Sequence, residues 1–123
     1  MAKAAGDTSQ SSSSNTVGTY TENAQSKIND MLNAPVTVSG TTPTITAKSG
    51  IRYICGEVST LSITPPASGD MEVIFSSGST ATVLTVPSTV KFPAWFDPTD
   101  LEANVTYDII ITNAIYGVVT SWA

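Results

Sequence analysis

Met71 to Pro98, MEVIFSSGSTATVLTVPSTVKFPAWFDP, decides the fold. Met71, Val73 and Phe75 alternate with Glu72, Ile74 and Ser76, the period of a strand with one deeply buried face. Ser76-Ser77-Gly78-Ser79 supplies a turn, because Gly tolerates positive φ and Ser bonds its own backbone. Thr80 to Val86 resumes an extended run of Thr and Val, which suit a pleated surface. The stretch therefore reads as two strands joined by a tight turn. Pro87 and Pro93 then interrupt ladder pairing. Phe92, Trp95 and Phe96 follow as side chains large enough to close the end of a small core.

Working outward, the rest of the chain carries the same signature. Val36 and Val38 alternate with Thr37 and Ser39, and Gly40-Thr41-Thr42-Pro43 turns the chain. Thr44 to Ala47 is a short polar strand suited to a sheet edge. Ile51 to Cys55 is apolar on both parities except at Arg52, which places it centrally, and Gly56 marks a bulge or bend. Val58 to Thr64 continues extended, with Leu61 and Ile63 on one face. Pro65 to Asp70 is the clearest loop. Asp97-Pro98-Thr99-Asp100 predicts a single helical turn capped by Asp97. Val105 to Thr112 aligns Val105, Tyr107, Ile109 and Ile111 on one face with Asp108 opposite, and Gly117 interrupts a last strand from Ile115 to Trp122. No internal repeat is visible. Seven or eight short strands at near-regular spacing predict an all-β domain over residues 36–123, a small antiparallel β-sandwich or jelly roll.

Ahead of it lie two different segments. Residues 1–18 are Ala, Gly, Ser, Thr, Gln and Asn with almost nothing to bury, an extended polar arm. Residues 19–34 predict a short amphipathic helix: Thr19 and Glu22 make a capping box, and Tyr20, Ala24, Ile28, Met31 and Leu32 fall on one face. Three turns are too few to stand alone in water. That stripe is the candidate anchoring or oligomer face, and it needs a surface to dock on: its own β-domain, a symmetry mate or another protein.

Composition narrows the function. The chain has 123 residues, room for one domain, and only 12% are charged. Net charge is −5, and Lys3, Lys27, Lys48, Arg52 and Lys91 are scattered singly, so neither nucleic acid nor an anionic membrane is an expected partner. There is no histidine, which removes the commonest general base and zinc ligand together. The single cysteine, Cys55, has no histidine to activate it and reads as a small buried hydrophobe. Residues 1–14 hold no apolar h-region, and no run is long enough to span a membrane.

Among candidate sites, Asp97, Asp100, Glu102 and Asp108 are the one acidic concentration. Capping and solvation explain them better than a carboxylate-pair hydrolase does. The stretch lacks the alternating ligands and central Gly of a calcium loop. Ser77-Gly78-Ser79 is no nucleophile elbow, because no helix follows. Trp95, Phe96, Tyr116 and Trp122 are candidate surface-binding aromatics for a host-surface glycan, set against core or subunit interface, the commoner fate of aromatics in so small a domain. No catalytic, cofactor or metal residues are assigned, and no enzymatic role is expected.

Three motifs carry a resemblance: Tyr53-Ile54-Cys55-Gly56-Glu57-Val58, the Ser77-Gly78 turn running through Leu84 to Pro87, and the Pro93-Ala94-Trp95-Phe96-Asp97-Pro98 corner. With these the chain resembles a small β-domain of tailed-phage virion proteins. Such domains occur in head-fibre, decoration and tail-fibre proteins, especially in phages of gut bacteria. The resemblance covers residues 36–123 and transfers no functional residue. It implies a virion-surface structural protein made in the host cytoplasm and anchored by its N-terminal segment. It also implies a homotrimer whose other partner is a capsid or tail protein.

Overall fold

The strands form where β-branched and aromatic residues alternate with polar ones, and the chain order of those strands sets the architecture. The computed structural model describes residues 34–123. The polar arm and the expected helix, with Tyr20, Ala24, Ile28, Met31 and Leu32, lie outside the described residues.

Eight strands are described: β1 (Val36–Val38), β2 (Thr44–Thr46), β3 (Arg52–Glu57), β4 (Thr60–Thr64), β5 (Asp70–Ser76), β6 (Val83–Thr85), β7 (Thr106–Thr112) and β8 (Tyr116–Trp122). They make two sheets, ordered β1-β3-β5-β7-β8 and β2-β4-β6. Inward side chains of both sheets share one core, centred on Phe75, Leu61, Ile63, Met71, Ile109 and Ile111. The domain is therefore all-β and two-layered.

The antiparallel expectation is corrected for most of the pairings. β1–β3, β3–β5, β2–β4 and β4–β6 are all parallel, and only β5–β7 and β7–β8 are antiparallel. The chain alternates between sheets at each of its first six strands, so each strand pairs with the next but one. A parallel pair needs a long crossover; here the crossover is a strand of the facing sheet. The result is a stack of three short coils closed by an antiparallel hairpin. Paired residues such as Val36 and Tyr53, or Leu61 and Leu84, lie about 20 residues apart, the low end of solenoid repeats. Coil lengths differ and the core residues are not repeated in kind, which is why no repeat shows in the sequence.

The turn between β5 and β6 is likewise not a hairpin. Those two strands lie in different sheets, and Ser77 to Thr82 is an arch between layers. Its buried polar groups satisfy one another. Thr82 N–H donates to Ser77 Oγ at 3.0 Å, Ser77 Oγ donates to Thr82 Oγ1 at 3.1 Å, and Thr82 Oγ1 donates to the Val58 carbonyl at 2.7 Å. The last bond ties this arch to the one between β3 and β4. Gly56 does mark a bulge: the β3–β5 register shifts between Ile54 and Glu57.

The larger sheet outruns the smaller by two strands, so the inner face of β7–β8 has no facing strand. The segment from Pro87 to Val105 covers it instead. Val90, Phe96, Leu101 and Val105 are buried there, with Phe92 packed against them. Glu102 N–H donates to Tyr107 Oη at 2.8 Å. Lys91 forms a parallel bridge to Tyr116 on the edge of β8. Gly117 does not interrupt β8. It pairs with Ile111, and its missing side chain makes room for the Phe92 ring. The helical turn expected at Asp97 is a tight turn: Asp100 N–H donates to the Asp97 carbonyl at 3.1 Å. Asp97 still caps it, accepting from Thr99 N–H at 2.9 Å.

Candidate functional site

The four candidate surface aromatics do not form one platform. Phe96 is buried, making an edge contact with Phe92 at 5.1 Å and one with Tyr107 at 6.0 Å between ring centroids. Tyr116 and Trp122 are exposed but stand at opposite ends of β8, roughly 20 Å apart at ~3.3 Å per residue. Trp95 lies on the covering segment, 63% exposed. Its ring meets Phe96 edge-on at 5.8 Å, which fixes its orientation.

Trp95 opens onto a shallow cavity of about 180 Å³ lined also by Asp97, Asp100, Glu102, Tyr107 and Ser121. Three of the four clustered acids are thus gathered beside an exposed indole. Asp97 is held below the usual carboxylate range by the side-chain and backbone hydrogen bonds from Thr99. The fourth acid, Asp108, is on β7 and points to the outer face of the larger sheet, so the four do not share a cleft.

There Asp108 belongs to a cluster that sequence patterning did not bring together. Arg52 on β3 donates through Nε to Glu72 Oε1 on β5 at 2.7 Å. Asp108 lies diagonally across from Glu72, since Ile74 is its direct neighbour in the ladder. Burial, then the hydrogen bond to Glu72 and its charge, push Asp108 up to about 6. Glu72 is held low by its hydrogen bond with Asp108 and by Arg52, against its own burial. Asp108 Oδ1 is covered and has no hydrogen-bond partner. The signal missed was register: Arg52, Glu72 and Asp108 each look like a solitary outward charge until the three strands are aligned.

The remaining candidates are structural. Cys55 is buried, which pushes its thiol up and leaves it a poor nucleophile. Ser77 is consumed by the arch. Among the described residues, no group of three His, Cys, Asp or Glu side chains is placed to hold a metal.

Comparison with known proteins finds no family model, no curated sequence and no solved structure that matches this chain.

Proposed function

We propose that this protein is a non-enzymatic structural component of a bacteriophage virion, a head-fibre or decoration protein that displays its β-domain on the particle surface. The motifs at Tyr53–Val58, Ser77–Pro87 and Pro93–Pro98 support the reading through their resemblance to phage virion domains. The observation that carries it is polarity. β1 and β2 are the edge strands at one end of the two sheets, while the Trp95 corner and the β7–β8 hairpin occupy the other. β1, the first strand of the domain, stands at the open end, so anchoring through the N-terminal segment leaves the closed end free for display. Deleting residues 1–34 should abolish incorporation into particles while the strand signal in circular dichroism persists. Incorporation of the truncated protein would overturn the assignment.

A second reading, a tail-fibre or receptor-binding tip for host-surface glycan, is favoured by one feature. The exposed Trp95 stands beside Asp97, Asp100 and Glu102, an apolar ring next to hydrogen-bond acceptors. A glycan array should then give a signal that Trp95→Ala removes, and an array without signal rejects it.

A further inference from the structure

Each sheet ends in two edge strands: β1 and β8 on the larger, β2 and β6 on the smaller. Three of these edges are blunted. β1, β2 and β6 are each three residues long, and Pro35, Pro43 and Pro87 stand at or near their ends. Short strands and prolines are the ordinary defence against pairing with another chain. β8 lacks both. Tyr116–Trp122 runs seven residues with no charge and no proline. Its outward side chains are apolar as well: Val118 is 59% and Trp122 52% exposed.

The backbone shows which groups of this edge are open. Lys91 N–H donates to the Ile115 carbonyl at 2.6 Å, and Gly117 N–H donates to the Lys91 carbonyl at 2.8 Å. Residues 115 and 117 therefore turn their peptide groups to the outer edge, and by the period of two so do Val119 and Ser121. Tyr116, Val118, Thr120 and Trp122 turn theirs toward β7. Beyond the Lys91 bridge, no strand among the described residues pairs with the outer edge. The open stretch is Val118 to Trp122, with Thr120 at its centre.

We infer that this edge pairs antiparallel with β8 of a second copy of the chain, joining the two larger sheets into one. Antiparallel pairing of a strand with its own copy is two-fold by construction. Full overlap of the open stretch puts the axis through Thr120. Val119 then faces Ser121 of the partner subunit, and the N–H of each donates to the carbonyl of the other. The side chains suit the same register. On the outer face Val118 stands opposite Trp122 of the partner subunit, a β-branched residue against an aromatic one, and the two Thr120 stand opposite each other. Both are favourable cross-strand pairs. A one-residue slip puts the peptide groups out of phase, and a two-residue slip loses the Val118–Trp122 pairs. The pairing uses up both open edges, so it stops at two copies. The contact is one strand wide and about 16 Å long at ~3.3 Å per residue, far smaller than a standard interface. The association is accordingly weak and concentration-dependent.

The test uses the full chain. Sedimentation across a concentration series should show a reversible monomer–dimer equilibrium. Ser121→Pro removes an outward N–H at an exposed position without touching the ladder to β7, and should weaken association at least tenfold. Ser121→Ala keeps that N–H and should leave association unchanged. If the proline variant fails to fold, crosslinking decides. Thr120→Cys, at the axis, should give a covalent dimer under mild oxidation, and Val118→Cys, facing Trp122, should not; the native Cys55 is buried and does not compete. A wild type that stays monomeric, association unchanged by Ser121→Pro, or no covalent dimer from Thr120→Cys overturns the inference. So does slow amide exchange at Val119 and Ser121 in dilute protein, which would mean that another segment already holds the edge.

Discussion

The Phe92 ring occupies the space that a side chain on Gly117 would take: a Cβ there would stand 2.5 Å from Phe92 Cε1. This is how an irregular segment covers the inner face of β8. The ring replaces the strand that the smaller sheet does not supply.

Gly117→Ala should therefore destabilise the domain although Gly is a poor strand former. The methyl group must push Phe92 out, and Phe92 leans on Phe96 in turn. Overpacking of this kind costs about 1–3 kcal/mol. Urea unfolding should show a lower midpoint with an unchanged slope; an equal or higher midpoint would mean the covering segment moves freely.

The β7–β8 turn stores strain in the opposite sense. Asn113 and Ala114 both have positive φ, 53° and 56°. Ile115 N–H closes the turn onto the Thr112 carbonyl at 3.0 Å. Two successive left-handed residues define the turn that favours Asn-Gly. Ala114→Gly should stabilise by roughly 0.5–1 kcal/mol, the left-handed penalty of Ala less the extra freedom Gly gives the unfolded chain. A lowered melting temperature would contradict it.

Thr82→Val keeps shape and removes a hydroxyl. The Val58 carbonyl and Ser77 Oγ both lose a partner inside the arch. Leaving such groups unsatisfied costs about 1–3 kcal/mol each. Thermal unfolding should report the loss, and Thr82→Ser should recover most of it.

Asp108 gives the domain a pH dependence. Its folded-state pKa of about 6 lies above the ordinary 3.8, so the folded protein holds this proton more tightly. That contribution is fully present below about pH 4 and is lost as pH rises through 6. The charged groups facing it are Glu72 on β5 and Arg52 on β3; β8 offers Thr120. Glu72 shifts the other way, so its contribution is lost as pH falls below its ordinary 4.5, outside this window. Stability should therefore decline between pH 4.5 and 7, by about 1 kcal/mol once partial exposure is allowed for. Asp108→Asn should flatten that decline, and a wild-type profile already flat there would refute it.

Local chemistry was legible in the sequence. The period-2 pattern of Met71, Val73 and Phe75 and of Tyr107, Ile109 and Ile111 named the buried face, because alternation depends on neighbours along one strand. Gly56 as a bulge and Asp97 as a cap were equally local. Pairing was not. Parallel and antiparallel partners demand the same alternation, so nothing in Asp70–Ser76 says that β6 crosses to the other sheet. The exposure of Trp95, the burial of Phe96 and the meeting of Arg52, Glu72 and Asp108 all depend on that crossing. The sequence by itself determined that this is an all-β domain with a given inward set. Only the tertiary structure decided which strands lie side by side, because register joins residues far apart in the chain and leaves no periodic trace in either strand.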